Sequence, residues 1–332
     1  MSPLLENSGF FCIFLKRIFS MIVVTGADGQ LGQCLKIGVR DYFLRGEVQE
    51  REVISFFNKN KMDITDEESI EKVMSECVIG CESERKIIIN CAAYTNVNNA
   101  ENEADKVFDI NVQGVKNLKN WCDKNDGFLI QISTDYVFDG KDRNFPYLEE
   151  AELPLQTCNT YGDSKMAAER WLRETNPNYL IIRTSWLYSE YGNNFFKTIL
   201  NKIRNNESVD VVDDQIGTPT YAQDLADFIC WLIVNKKYHN IGNIIHFTNL
   251  GTASWYDLAK AIEVNLYGED IGIVKPSDSS SVKVLRPHYS VLSKKKLLSL
   301  GYGNLHHWLC PVASTMGRII LNEHGDKEKT EE

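Results

Sequence analysis

The chain lacks an apolar run long enough to span a bilayer, a surplus of basic charge, paired cysteines and any internal repeat. Each absence removes a class of protein. With a formal net charge of −10, no basic patch is evident to neutralise phosphates, which argues against a nucleic-acid binder. Backbone amides can still hold the phosphates of a nucleotide. The nine cysteines are an odd number and scattered singly; Cys77 and Cys81 are the closest pair. That spacing fits neither a zinc knuckle nor a secreted disulfide framework, so a reducing, cytoplasmic compartment is expected. No histidine falls in a metal-ligand spacing, and His306-His307 beside Trp308 read as a partly packed surface pair. The longest N-terminal apolar stretch, Phe10 to Leu15, is too short to cross a membrane, and its basic residues, Lys16 and Arg17, follow rather than precede it. No small-residue cleavage site comes after. Met21 opens a strand pattern, so residues 1–20 are expected to be a non-native upstream extension; a membrane-surface anchor is the alternative.

What is present describes an ordinary globular protein: 332 residues, 43% hydrophobic and 25% charged, enough for one large domain or two. Met21–Thr25 is a short β-branched run bounded by glycine and predicts a buried strand. Further strands are expected at 52–57, 86–93, 128–133, 179–185, 209–215 and 243–248. Helices are expected at 33–39, from a Thr65–Glu68 capping box through Met74, at 103–125, 164–175, 193–205, 221–235, and at 254–267 with Ser254 and Asp257 as caps. Beyond Ile271 the pattern reads as loop, and from Gly325 as a charged, disordered tail. Strands alternating with helices imply an α/β fold with a doubly wound parallel sheet of Rossmann type.

Immediately after the first strand comes Gly26-Ala-Asp-Gly29-Gln30-Leu31-Gly32, leading into a helix. Glycines there allow a tight turn and let a pyrophosphate approach a helix N-terminus. A glycine-rich turn alone is a weak signal; between a strand and a helix in a βα series it is a strong one. The second strand ends Phe57-Asn58-Lys59-Asn60-Lys61 with no acid to hold ribose hydroxyls, favouring NADPH or a protein that accepts NADH as well. Asp63, next to Ile64, suits either an adenine amino group or a turn.

Tyr161 and Lys165 are four residues apart, so one helical turn places them on one face. An ammonium near a phenol stabilises its ionised form, and Thr134 arrives at the end of the preceding strand to add a hydroxyl. Such a set can protonate a carbonyl oxygen while hydride reaches its carbon. A Tyr and a Lys at this spacing are more often a plain surface pair; what favours chemistry is their position outside the carboxyl ends of the strands.

The segments Gly26–Gly32, Asn90–Val97, Asn111-Val112, Ser133–Gly140 and Tyr161–Lys165 resemble the extended short-chain dehydrogenase/reductase superfamily. Within it, Arg183–Tyr188, Asn194-Phe195, Val212–Thr220, Asp224–Ala226 and Arg286-Pro287 resemble the dTDP-4-dehydrorhamnose reductase family. The resemblance runs in order from Met21 to about Leu300. It implies a Rossmann domain over 21–187 and 220–249, and a smaller, mainly C-terminal α/β substrate-binding domain over 188–219 and 250–324, with 325–332 as the tail. It further implies NAD(P)H-dependent reduction of the C4 ketone of dTDP-4-dehydro-6-deoxy-L-mannose to dTDP-L-rhamnose. By resemblance Tyr161 is the general acid, Lys165 lowers its pKa and holds the nicotinamide ribose, and Thr134 binds the ketone oxygen. Gly26, Gly29, Gln30, Leu31, Gly32, Asp63, Ile64, Ala92, Ala93, Tyr94 and Asn111 would serve the cofactor. Val97, Asp135, Tyr136, Trp186, Asn194 and Arg286 would face the substrate. The partners implied are the dTDP-sugar and a second copy of the chain, with Mg2+ at the dimer contact of some members.

Asn98-Asn99 departs from the charged pair usual after Val97 in that family, and no residues here form a metal ligand set by spacing. Two other readings stay open. A catalytically idle NADP-binding regulatory subunit would have no need of the Thr134/Tyr161/Lys165 set. The other is an epimerase or dehydratase on the same scaffold; a dehydratase would be expected to carry acids directly after the strand-end threonine, where the lone Asp135 does not decide, and the Trp186 motif fits the reductase better.

Overall fold

The computed structural model describes residues 20–46, 52–78, 85–141, 145–281 and 283–328; the expectation about an extension over residues 1–19 lies outside them. In chain order the elements are β1 (Ser20–Thr25), α1 (Gln30–Leu44), β2 (Glu52–Phe57), α2 (Glu67–Val78), β3 (Lys86–Asn90), α3 (Val97–Ala100) and α4 (Ala104–Phe108). After a π-helical turn at Asp109–Gln113 follow α5 (Gly114–Lys124), β4 (Gly127–Thr134), α6 (Thr160–Arg173), β5 (Tyr179–Thr184), β6 (Leu187–Tyr188), α7 (Phe195–Arg204), β7 (Val209–Val212) and β8 (Ile216–Gly217). The remainder comprises β9 (Thr220–Tyr221), α8 (Ala222–Val234), β10 (Ile244–His246), β11 (Ala253–Ser254), α9 (Trp255–Tyr267), β12 (Val274–Ser277), α10 (Lys295–Ser299) and α11 (Cys310–Glu328).

The main sheet has six parallel strands in the order β2-β1-β3-β4-β5-β10. Strand order reverses between β1 and β3, and at such a point a crevice opens outside the strand ends. All six residues of β1 and of β5 are buried, as expected of strands covered on both faces. One apolar core packs α1 and α8 on one face through Leu35, Leu225 and Ile229; the other packs α2, α5 and α6 through Met74, Leu118 and Leu172. A third core, outside the sheet, joins Phe196 and Leu200 of α7, Leu258 and Ile262 of α9, and Val312 and Met316 of α11. Leu297 of α10 belongs to the sheet's own core rather than to this one.

Several expectations are corrected. β1 starts at Ser20, a buried residue paired with Glu52 in register, one position before Met21. Thr65 does not cap α2: Asp63 Oδ1 accepts from its N–H at 3.0 Å and its hydroxyl at 2.8 Å, and the cap passes to Asp66, which accepts from Glu68 N–H. The stretch 103–125 is not one helix but α4 and α5 joined by the π-turn that carries Asn111. The segment after Ile271, read as loop, contains β12, an edge strand parallel to β7 whose Lys275 and Pro276 face solvent. α11 extends through Glu328, into the segment expected to be disordered; residues 329–332 are outside the described ones. No helix among the described residues is long and apolar enough to cross a membrane.

Candidate active site

The glycine turn is built by sterics. Gly26 has φ +64°, and a Cβ there would lie 2.6 Å from Ala92 N; a Cβ on Gly32 would lie 2.5 Å from the Gly26 carbonyl oxygen. Side chains are therefore barred from two of the three glycine positions, and the backbone stays open at the N-terminus of α1, where a phosphate is stabilised. Gly29, Gln30 and Leu31 line one wall of a cavity of about 560 Å³. The same cavity is lined by Ala92, Ala93, Val97, Thr134, Asp135, Tyr136, Tyr161, Lys165, Trp186 and Asn194. Its size and mixed lining suit a cofactor and a small polar ligand together.

Asn159 caps α6, accepting from Gly162 N–H at 2.8 Å, which sets Tyr161 in the first turn. Tyr161 is partly buried and lines the cavity beside Thr134; burial, with Asp135 nearby, pushes its phenol up to about 12. That is the direction opposite to the lowering expected from Lys165. Lys165 instead donates to the Ile132 carbonyl at 2.8 Å, and burial lowers its ammonium to about 8 against the pull of Glu169. Thr134 donates to Asp135 Oδ1 at 3.0 Å and accepts from Tyr136 N–H at 3.2 Å. Burial lifts the Asp135 carboxyl to about 7.

Behind this cluster lies a buried ion pair. Arg183 of β5, fully enclosed, donates to both oxygens of Glu169 at 3.0 and 2.7 Å, and Ser133 donates to Glu169 Oε1 at 2.6 Å. Glu169 sits one turn beyond Lys165, so α6 grips β4 at Ile132 and Ser133, on either side of the peptide that leads into Thr134. Asn111 occupies the π-turn, the kind of helix irregularity that collects at functional sites. It accepts from Tyr94 N–H at 2.8 Å and donates to the Tyr94 carbonyl at 3.1 Å and the Ser164 hydroxyl at 3.0 Å. It holds the 92–94 segment against α6 without lining the cavity.

The opposite wall is aromatic. Trp186 follows β5 with φ +49° and stacks on Trp255 at 3.7 Å between centroids and 6° between planes. Phe195 lies 4.6 Å from Trp255, and a Cβ on Gly217 would fall 2.5 Å from the Trp186 ring, so only glycine admits that indole. Asn194 caps α7 through Lys197 N–H, and its amide donates to Gln30 Oε1 at 2.9 Å, tying the two walls together. Arg286, expected to face the substrate, does not line the cavity but donates to Asn98 Oδ1 at 3.0 Å next to Val97, while Asn159 donates to the Leu285 carbonyl at 2.8 Å.

Not every expected residue reaches the cavity. Asp63 is a turn residue: its burial is outweighed by hydrogen bonds from Thr65 and the charge of Lys59, which keep its carboxyl below the usual range. Ile64 is core, packed where α5 passes at Gly114. The Tyr94 ring turns away and donates to Glu103 at 2.5 Å. Sequence reasoning missed Trp255, Phe195 and Leu258, which line the cavity. It also missed Asp28, whose carboxylate accepts from Asn58 at 2.8 Å beside the end of β2. Trp255 had a local signal, since the Ser254/Asp257 capping box fixes it as the first residue of α9. Among the described residues no group of three or more His, Cys, Asp or Glu is placed to hold a metal, so the Mg2+ implied by the resemblance finds no ligand set there.

Residues 20–319 match the family described as RmlD substrate binding domain. A dTDP-4-keto-6-deoxy-D-glucose reductase of Streptomyces niveus is 36% identical over 303 residues, covering 90% of this chain and 97% of the relative. A dTDP-4-dehydrorhamnose reductase of Aggregatibacter actinomycetemcomitans is 36% identical over 247 residues, 73% of this chain and 77% of the relative. The crystal structure of a dTDP-4-dehydrorhamnose reductase from Bacillus anthracis in complex with NADP superposes with a TM-score of 0.74 at 33% identity, covering 92% of this chain and 99% of that one.

Proposed function

The chain belongs to the RmlD family, and on that footing we propose that it reduces the C4 ketone of dTDP-4-dehydro-6-deoxy-L-mannose, forming dTDP-L-rhamnose with NADPH. The observation that carries this reading is that Thr134, Tyr161 and Lys165 line the same cavity as the glycine turn. The nicotinamide, when bound, supplies the hydride. The protein's share is the proton and the geometry. Tyr161, its phenol raised to about 12, is protonated at neutral pH and gives its proton to the oxygen that becomes C4–OH. Thr134 donates its hydroxyl to that oxygen when the sugar is bound, turning it away from Asp135 Oδ1, which it holds in the free site. Lys165, which donates to the Ile132 carbonyl of β4, takes the nicotinamide ribose in this reading. Arg286, which donates to Asn98 beside Val97, is the cation offered to the substrate's diphosphate.

For the cofactor, Lys59 and Lys61 beyond β2 favour NADPH, whereas Asp28 favours ribose hydroxyls, so acceptance of both NADPH and NADH is the expected behaviour. Relatives of similar identity are named for two related deoxysugars, and both sugars are therefore test substrates. The test is oxidation of NADPH, followed at its absorbance band, with each dTDP-4-keto sugar made in situ. Turnover supports the reductase; NADPH binding without turnover on either sugar overturns it in favour of an idle cofactor-binding subunit.

A further inference from the structure

Three buried polar side chains lie in a row near the carboxyl ends of adjacent strands of the sheet. Thr25, Asn90 and Gln131 are 0%, 1% and 2% exposed, and they are register neighbours on β1, β3 and β4. Burying three such groups side by side is costly unless each finds a partner, and the fold as such has no use for them. Here they are satisfied in one direction. Thr25 Oγ1 donates to Asn90 Oδ1 at 2.6 Å, Asn90 Nδ2 to Gln131 Oε1 at 2.8 Å, and Gln131 Nε2 to the Ile132 carbonyl at 2.8 Å. That carbonyl is the one to which Lys165 Nζ donates at 2.8 Å. At the other end, Thr25 precedes Gly26, and Ala92 N–H donates to Asn90 Oδ1 at 3.1 Å and weakly to Thr25 Oγ1.

We propose that Gln131 is a positioning residue for Lys165, and that the Thr25–Asn90–Gln131 ladder ties the lysine to the glycine turn and to the Ala92 segment. The proposal rests on the reading of Lys165 as the group that holds the cofactor ribose. A carbonyl that accepts from both Gln131 and Lys165 is fixed in direction, and the ammonium with it. Removing the Gln131 amide frees the carbonyl to tilt and leaves Asn90 Nδ2 without its acceptor. The cofactor then meets a lysine and a glycine turn that no longer move as a unit.

The test compares wild type with Gln131→Met, Gln131→His, Thr25→Val and the Thr25→Val/Gln131→Met double variant. NADPH affinity is read from nicotinamide fluorescence, which needs no turnover, and kcat and sugar KM from steady state. Gln131→Met is expected to lose about tenfold in kcat, the scale of a small misplacement of a catalytic group, with sugar KM within about twofold. Its NADPH Kd rises a few-fold, and Gln131→His, which keeps a donor and an acceptor, recovers most of both. The two sites are about 10 Å apart, two strand spacings, where independent effects add; the double variant is expected to weaken NADPH by less than the product of the single effects. Native kcat and Kd in Gln131→Met, an additive double variant, or a folded Gln131→His as impaired as Met would each overturn the proposal. Should Gln131→Met not fold, Thr25→Val decides alone: reduced kcat supports the ladder and native kcat refutes it. A wild type without turnover would sink the reductase reading, while the NADPH affinities still judge the ladder.

Discussion

The two walls of the cavity are held in different ways. The wall made by β4 and α6 carries Thr134, Tyr161 and Lys165, and it is fixed by buried charge: Glu169 with Arg183, Ser133 bonded to Glu169, and Lys165 on Ile132. The wall made by the 186 turn and α9 is fixed by ring packing, with Trp186 stacked on Trp255 and Phe195 against Trp255. Directional bonds in a dry site hold atoms to fractions of an ångström, which proton and hydride transfer require. Stacked rings give area and shape while allowing small slides, which suits recognition of a sugar. The difference implies a division of labour: the first wall governs kcat, the second KM.

The strongest attempt to break that division is Tyr161→Phe, which removes the proton donor and leaves the ring packing against Tyr136. A loss of about 10²- to 10⁴-fold in kcat is expected, with NADPH Kd within a few-fold of wild type by fluorescence titration. Next is Glu169→Gln, which strands the enclosed Arg183 guanidinium; a stability loss of about 3–5 kcal/mol is expected in urea denaturation. A shift below about 1 kcal/mol would mean that the ion pair does not hold the wall. Third comes Lys165, whose ammonium burial depresses from 10.5 to about 8. The unfolded chain binds that proton more tightly than the folded one between these values, so wild-type stability rises with pH across pH 8 to 10.5. Lys165→Met removes the penalty: it is expected to be more stable than wild type at pH 7, by on the order of 3 kcal/mol, and to lose that advantage by pH 10.5. A pH-independent difference between the two melting curves would contradict the assignment. The smallest effect is on the other wall, where Trp255→Ala is expected to raise the sugar KM roughly tenfold and to change kcat far less.

Much of this was legible in the sequence because local signals and tertiary needs coincide. The glycine turn lies between an apolar β-branched strand and a helix, and Tyr161 and Lys165 share a helical face; the structure places each where those patterns put it. What escaped was set by contacts distant in sequence. Asp63 was open between adenine and turn until Thr65 and Lys59 were seen to claim its carboxylate. The break in the helix over 103–125 has no glycine or proline inside the π-turn; it serves Asn111, whose partners Tyr94 and Ser164 lie 17 and 53 residues away. β12 was hidden by its Lys275-Pro276 pair, which only an edge strand tolerates. α11 did carry a pattern, with Val312, Met316 and Ile319 at helical spacing against the third core. The Tyr161 shift runs opposite to the expected lowering because the spacing to Lys165 does not report the burial that dominates at the phenol in the fold.

The most direct test is to measure kcat and sugar KM for Tyr161→Phe and Trp255→Ala side by side, in one NADPH-oxidation assay with the keto sugar made in situ. The account predicts that the tyrosine variant loses kcat with KM little changed, and that the tryptophan variant loses KM with kcat little changed. Near-normal turnover by Tyr161→Phe, or a kcat collapse in Trp255→Ala with KM intact, would contradict it.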